Sequence, residues 1–140
     1  KIPKKNKLKE NDIKLIENIK NNIPKLINYI DKQNWNEYIK MGVNFSFEAN
    51  KYFNDSEPWS LKTNDPDRMH TILHTILEQI KNISILLNPI IPVSTKKVLD
   101  TINLSDKDIS IENIKKHDIV DYNLELKKLD ILFKKIENDN

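Results

Sequence analysis

The stretch Glu48–Trp59, EANKYFNDSEPW, is where the architecture of this chain is decided. Glu48 to Phe53 has the form of a helix end, with Ala49, Tyr52 and Phe53 on an apolar side. Asn54, Asp55 and Ser56 then compete for backbone hydrogen bonds through short polar side chains and favour leaving the helix. Pro58 disfavours helix at Glu57 and sets the backbone just ahead of Trp59. The expected product is an indole on a stiff corner beyond a helix end. Such a tryptophan either closes one end of a helical core or offers a face on which an unpaired base can stack, worth ~1–3 kcal/mol.

Upstream of the corner the spacing is helical. Ile13, Ile16, Ile19, Ile23, Ile27 and Ile30 recur at three and four residues, one stripe of an amphipathic helix that Asn11 or Asp12 can cap. Pro24 lies in its interior and should kink it or split it. Asp31 to Gln33 is a break, and Asn34-Trp35-Asn36-Glu37 has the form of a capping box opening the next helix. Its apolar side is Trp35, Tyr38, Ile39, Val43, Phe45 or Ser46, Ala49, and Tyr52 or Phe53, with Trp35 wedged structurally at the start. Gly42 costs ~1 kcal/mol of helix propensity, which points to a close helix approach.

Downstream, Ser60 to Asn64 is a loop, and Asp65-Pro66 starts a third helix with Asp65 as cap. Met69, Ile72, Leu73, Ile76, Leu77, Ile80, Ile83, Leu86 and Leu87 give that helix a stripe wide enough for a central position. It must stop near Asn88, before Pro89, and Pro92 can open the next helix with Val93, Val98, Leu99 and Ile102 inward. His70, His74 and Glu78 share one side of the third helix; with no fourth ligand in sight they read as a polar flank, not a zinc site. Ser105 to Asp108 is a polar link and Ile111 to Lys116 a short helix. Val120, Tyr122, Leu124 and Leu126 alternate like an extended segment, while Leu126, Leu129, Phe133 and Ile136 fit a helix equally well. Short connections between successive helices make this an all-α antiparallel bundle.

Composition narrows the function. A chain of 140 residues is large enough for a single core. It has no cysteine, hence no disulfide and no thiolate metal site. No apolar run approaches the ~20 residues of a membrane helix, and the lysine-rich start lacks the apolar segment of a signal peptide. The net charge is only +2, but lysines cluster at Lys1–Lys9, Lys96-Lys97, Lys115-Lys116, Lys127-Lys128 and Lys134-Lys135. Such runs are solvated surface unless the fold gathers them on one side, where they would meet phosphate. Arg68 is the sole arginine, so phosphate would be held by point charges rather than bidentate forks. With no Gly-rich phosphate loop, no cysteine nucleophile and no histidine–serine pair, the chain carries no catalytic constellation.

Several motifs now line up. The run Ala49-Asn50-Lys51-Tyr52-Phe53-Asn54-Asp55-Ser56-Glu57-Pro58-Trp59, then Asp65-Pro66-Asp67-Arg68, then Leu86-Leu87-Asn88-Pro89-Ile90-Ile91-Pro92, resembles the anticodon-binding domain of methionyl-tRNA synthetases in order and spacing. The resemblance covers Lys1-Ile2-Pro3 to about Leu104 and, more weakly, Ile131-Leu132-Phe133. It implies a helical anticodon-binding domain over residues 1–104 and an extended tail over 105–140 lying back on the bundle. It also implies that Trp59 stacks on the first base of the CAU anticodon, that Pro58 shapes the platform, and that Asn54 stands near the base edge. The partners implied are the anticodon loop of tRNA(Met) and a catalytic domain missing from this chain, where ATP would act with or without magnesium; no cofactor is expected here. The HIGH-like and KMSKS-like signatures of that catalytic domain are absent from the sequence. The location implied is the cytoplasm, or an organelle with similar translation machinery.

The family's first helix, which carries a base-reading asparagine and arginine, has no match and is expected just before Lys1. Lys134-Lys135 stands where the family has Pro-Arg after Leu-Phe. The rival reading from another class is a helical protein-interaction module, with Trp59 and Trp35 as core or interface anchors. A zinc or di-iron bundle comes third, for want of inward-facing ligands.

Overall fold

Asp65 and Pro66 start the helix around which the others assemble. The Asp65 carboxylate accepts the Arg68 amide at 3.0 Å, and Pro66, whose missing N–H is no loss at a first turn, opens α3 (Pro66–Leu87). In this computed structural model, which describes residues 7–116, α3 packs against α1 (Glu10–Asp31), α2 (Trp35–Ser56), α4 (Pro92–Thr101) and α5 (Ile111–Lys115). Short 3-10 turns occupy Pro58–Leu61 and Asp106–Asp108. There is no strand among the described residues, and the bundle is all-α as expected. The stretches 1–6 and 117–140, with the lead-in, the alternating Val120–Leu126 segment and Lys134-Lys135, lie outside the described residues.

Cross-helix contacts give the antiparallel order. The Tyr52 hydroxyl near the end of α2 meets Asp12 at the start of α1, and the Tyr38 hydroxyl near the start of α2 donates to the Leu86 carbonyl near the end of α3 at 2.6 Å. The main core joins Ile19, Ile23 and Leu26 of α1 with Tyr38 and Phe45 of α2, Ile85 and Leu86 of α3, Leu99 of α4, and Ile102, Leu104 and Ile114 beyond it. Leu15, Tyr52 and Ile72 form a smaller cluster towards the other end.

Most boundaries fall where expected, with instructive departures. Asn34 caps α2 by accepting the Glu37 amide at 3.4 Å, but Glu37 does not return the bond, because the Asn34 amide already donates to the Tyr29 carbonyl at 2.8 Å. Pro24 does not split α1, which continues as one helix; buried Ile23 and Leu26 on either side hold both halves against the same core. That helix starts one turn early, with Lys9 at the cap and its amide held by the Asp12 carboxylate at 2.8 Å. The isoleucine stripe is also rotated: Ile13 and Ile27 face solvent while Leu15 and Leu26 take the inner positions. In α4, Leu99 is buried and Val93 is exposed, contrary to the inward position expected for it. Gly42 does mark a close approach: a Cβ there would lie 2.8 Å from the Leu87 Cδ2 atom of α3.

The largest departure is in α3. His74 and Glu78, expected on a polar flank, are buried, as are Thr71, Thr75, Gln79, Lys81, Asn82 and Ser84. The polar side of α3 is thus turned inward, while Ile80 on its apolar side is exposed. The Lys81 ammonium donates to Glu78 at 2.7 Å and to the Lys116 carbonyl at 2.8 Å, so a buried charge pair ties α3 to the end of α5.

Candidate nucleic-acid interface

The helix α2 runs through Asn54, Asp55 and Ser56 and ends only at Glu57, three residues later than the sequence suggests. Glu57 then adopts a left-handed conformation (φ 42°, ψ 55°), which removes the conflict between helix and the following proline. Its amide donates to the Phe53 and Asn54 carbonyls, closing the helix end. Its carbonyl accepts both the Ser60 amide at 2.9 Å and the Ser60 hydroxyl at 2.8 Å. The corner is thus bonded on both sides, and Pro58–Leu61 is a 3-10 turn that takes in Ser60 and Leu61 from the loop expected over Ser60 to Asn64.

On this corner Pro58 is buried, while Trp59 remains 58% exposed. The indole packs edge-on against Phe53, with ring centroids 5.7 Å apart and planes at 61°. Phe53 in turn lines an apolar groove of about 380 Å³ between α2, α3 and α4, with Ala49, Ile76, Ile80 and Ile83. Asn54 is exposed at the last turn of α2. The three residues singled out in the sequence therefore meet at one corner: a buried proline, an open indole beside it, and a free amide on the adjoining turn. Trp35, by contrast, is not wedged in the core; it is 40% exposed and lies edge-on to Tyr38.

A charged clamp holds the same end of the bundle, and nothing in the motif reading pointed to it. The Asp12 carboxylate is fully buried and accepts Arg68 Nη1 at 2.5 Å, Arg68 Nη2 at 2.8 Å and the Tyr52 hydroxyl at 2.5 Å, besides the Lys9 amide. One carboxylate thereby joins the first turn of α1, the last turns of α2 and the first turn of α3. Burial alone would push the Asp12 carboxyl up, but the Arg68 guanidinium, the Tyr52 hydroxyl and the Lys9 amide together hold it below its usual range. Burial and the neighbouring Asp12 carboxylate push the Tyr52 phenol well above its usual value. The signal that could have found this clamp is Arg68 itself, a lone arginine among lysines, whose flat fork suits a bidentate carboxylate.

Two of the run lysines among the described residues sit in surface ion pairs. Lys96 reaches Asp106 and Lys115 reaches Glu112, each at 3.1 Å and exposed. No helix of the described residues is long and apolar enough to cross a membrane.

Comparison with known proteins agrees with the all-α fold. A family model described as the anticodon binding domain of methionyl tRNA ligase matches residues 2–140. The methionine–tRNA ligase of Rickettsia felis is 38% identical over 95 residues, covering 68% of this chain and 18% of that protein. That of Bacteroides fragilis is 28% identical over 141 aligned positions, covering 99% of this chain and 20% of its own length. The chain thus spans about a fifth of the length of these relatives. In fold it is similar to the free-state methionyl-tRNA synthetase of Mycobacterium tuberculosis, with a TM-score of 0.88 at 19% identity, covering 98% of this chain and 28% of that one. The chain belongs to the family of methionyl-tRNA ligase anticodon-binding domains.

Proposed function

We propose that this chain reads the CAU anticodon of methionine tRNA for a methionyl-tRNA synthetase. Trp59 stacks on the unpaired first base, buried Pro58 holds the platform, and Asn54 offers its amide to the base edge. The observation that carries this reading is the Trp59 corner, an indole more than half open to solvent on a turn bonded from both sides. Single-stranded loops are read in this way, by splaying bases onto aromatic faces and bonding their edges. Stacking tolerates every base, so cytosine selection requires hydrogen-bond partners such as Asn54.

The rest of the polypeptide that such a domain serves would activate methionine with ATP and load the tRNA, in the cytoplasm or an organelle with similar translation machinery. None of that chemistry belongs to this chain. The protein-interaction reading is not favoured, since the family match is to an anticodon-binding domain.

The test is binding of a CAU stem-loop and of the same hairpin with its cytosine changed. Extended upstream by the base-reading helix that the resemblance expects before Lys1, the chain prefers CAU, and Trp59→Ala weakens binding by about 1–3 kcal/mol while helicity and melting temperature stay close to wild type. Equal binding of both hairpins, unchanged in Trp59→Ala, would sink the proposal.

A further inference from the structure

We infer that the solvent face of α2 is a second RNA contact, continuous with the Trp59 corner, on which Phe47 stacks with another unpaired base of the anticodon arm. This inference rests on the anticodon reading above. At 100° per residue, Asn36, Lys40, Val43, Phe47, Lys51 and Asn54 fall within about 40° of one line along the helix. All six are exposed, and Phe47 is 68% exposed, more than Trp59. With Val43, 41% exposed one turn before it, the ring makes up the apolar part of this face.

The neighbours of the ring decide what that partner is. Two lysines and two asparagines flank it, and no carboxylate lies on the line. The acidic residues of α2 nearest to it, Glu37, Glu48 and Asp55, are turned off by about 80–100°, and the Glu37 carboxylate touches the line only as a 4.0 Å exposed pair with Lys40. Glu48 is moreover engaged by the Asn18 and Asn44 side chains. Lysine is depleted in protein–protein interfaces, whereas an aromatic ring among cations and amides is the makeup of a single-stranded nucleic-acid surface. The face reaches the proposed site at Asn54, while the Trp59 indole rests on Phe53, about 120° round the helix. Asn54 stands two turns beyond Phe47, about 10.5 Å along the axis, and closes the line at the corner. Lys40, about 10.5 Å before the ring along the axis, and Lys51, about 6 Å beyond it, are placed for phosphates on both flanks of a stacked base.

The experiment uses the 140-residue chain and a CAU stem-loop carrying 2-aminopurine at each loop position in turn. Phe47→Ala is expected to weaken binding about tenfold, to be rescued by Phe47→Tyr, and to remove the fluorescence change at a loop position other than the one that Trp59→Ala affects. Lys40→Gln and Lys51→Gln are each expected to reduce the slope of log affinity against log salt by about 0.7, which Phe47→Ala leaves unchanged. Wild-type binding by Phe47→Ala, with Trp59→Ala impaired, would overturn this inference and leave the anticodon reading standing. Binding that neither substitution alters would overturn both. Loss of self-association in Phe47→Ala, measured by sedimentation with RNA affinity unchanged, would assign the face to a protein contact instead and equally overturn the inference.

Discussion

The two ends of the bundle each carry a partly exposed tryptophan lying edge-on to an aromatic ring 5.7 Å away, yet they are built differently. At one end Trp59 sits outside any α-helix, on a turn that follows a left-handed residue, above a buried three-helix charge clamp. At the other, Trp35 occupies the first turn of α2, where apolar packing closes the bundle through Gly42 against Leu87 and Tyr38 against the Leu86 carbonyl. Exposure alone does not separate the two indoles. Their supports do: one is a ring resting on a helix, the other a ring projecting from a corner whose backbone is bonded in place.

The comparison can be broken most forcefully at Asp12. Asp12→Ala leaves the Arg68 guanidinium without its carboxylate and is expected to cost about 3–5 kcal/mol in urea unfolding. A loss below about 1 kcal/mol would mean that apolar contacts, not the clamp, hold the Trp59 end. The same group fixes a pH dependence. Its folded value lies below the ordinary 3.8, so its contribution is complete above 3.8 and is lost as pH falls through the lower folded value. Asp12→Asn should remove that part of the acid transition, and curves of wild type and variant that ran parallel between pH 5 and pH 2 (round figures for the acid window, about a unit either side of the usual carboxylate range) would contradict the assignment.

The apolar end is tested at Gly42. Gly42→Val drives branched carbons against Leu87 and is expected to cost about 1–3 kcal/mol, read from the denaturation midpoint. Gly42→Ala is nearly neutral, because its methyl meets only the tip of a flexible side chain and gains ~1 kcal/mol of helix propensity. A valine tolerated without loss would show that this end is not closely packed. The smallest effect is expected at Trp35, where alanine removes an edge contact worth about 0.5–1.5 kcal/mol and leaves hairpin affinity unchanged. If Trp35→Ala weakened RNA binding as Trp59→Ala does, the contrast between the two supports would lose its meaning.

Local chemistry was legible in the sequence; pairing across distance was not. Asp65-Pro66, Asn34 and Pro92 announced their helix starts because caps and prolines act within a turn. Gly42 announced a close approach because nothing else justifies glycine in mid-helix. The Trp59 corner was visible for the same local reasons, although α2 extends through the polar residues taken to end it. The Asp12–Arg68 clamp spans 56 positions, and no local rule couples an aspartate in one first turn to an arginine in another. The rotation of α1 was hidden because isoleucines and leucines lie on adjacent sides of the helix, so spacing alone could not say which set turns inward. The buried polar seam of α3 was hidden by the assumption that a polar residue on a helix must find water. In α3 the Thr71 and Thr75 hydroxyls bond the helix's own carbonyls, and Lys81 meets Glu78 one turn away and the Lys116 carbonyl beyond α5.

Glu57 has one more consequence. A residue with a side chain held at φ 42° gives up roughly 1–2 kcal/mol that glycine would have spared. In return the corner has few alternative conformations to lose. A surface preset in this way exacts little ordering entropy from its ligand, which otherwise amounts to about 0.5–1.5 kcal/mol for each side chain immobilised. Correct and incorrect anticodons would then be captured at similar rates, and choice between them would lie in residence time. On the proposed reading, the strained glutamate makes this domain one that discriminates by letting go.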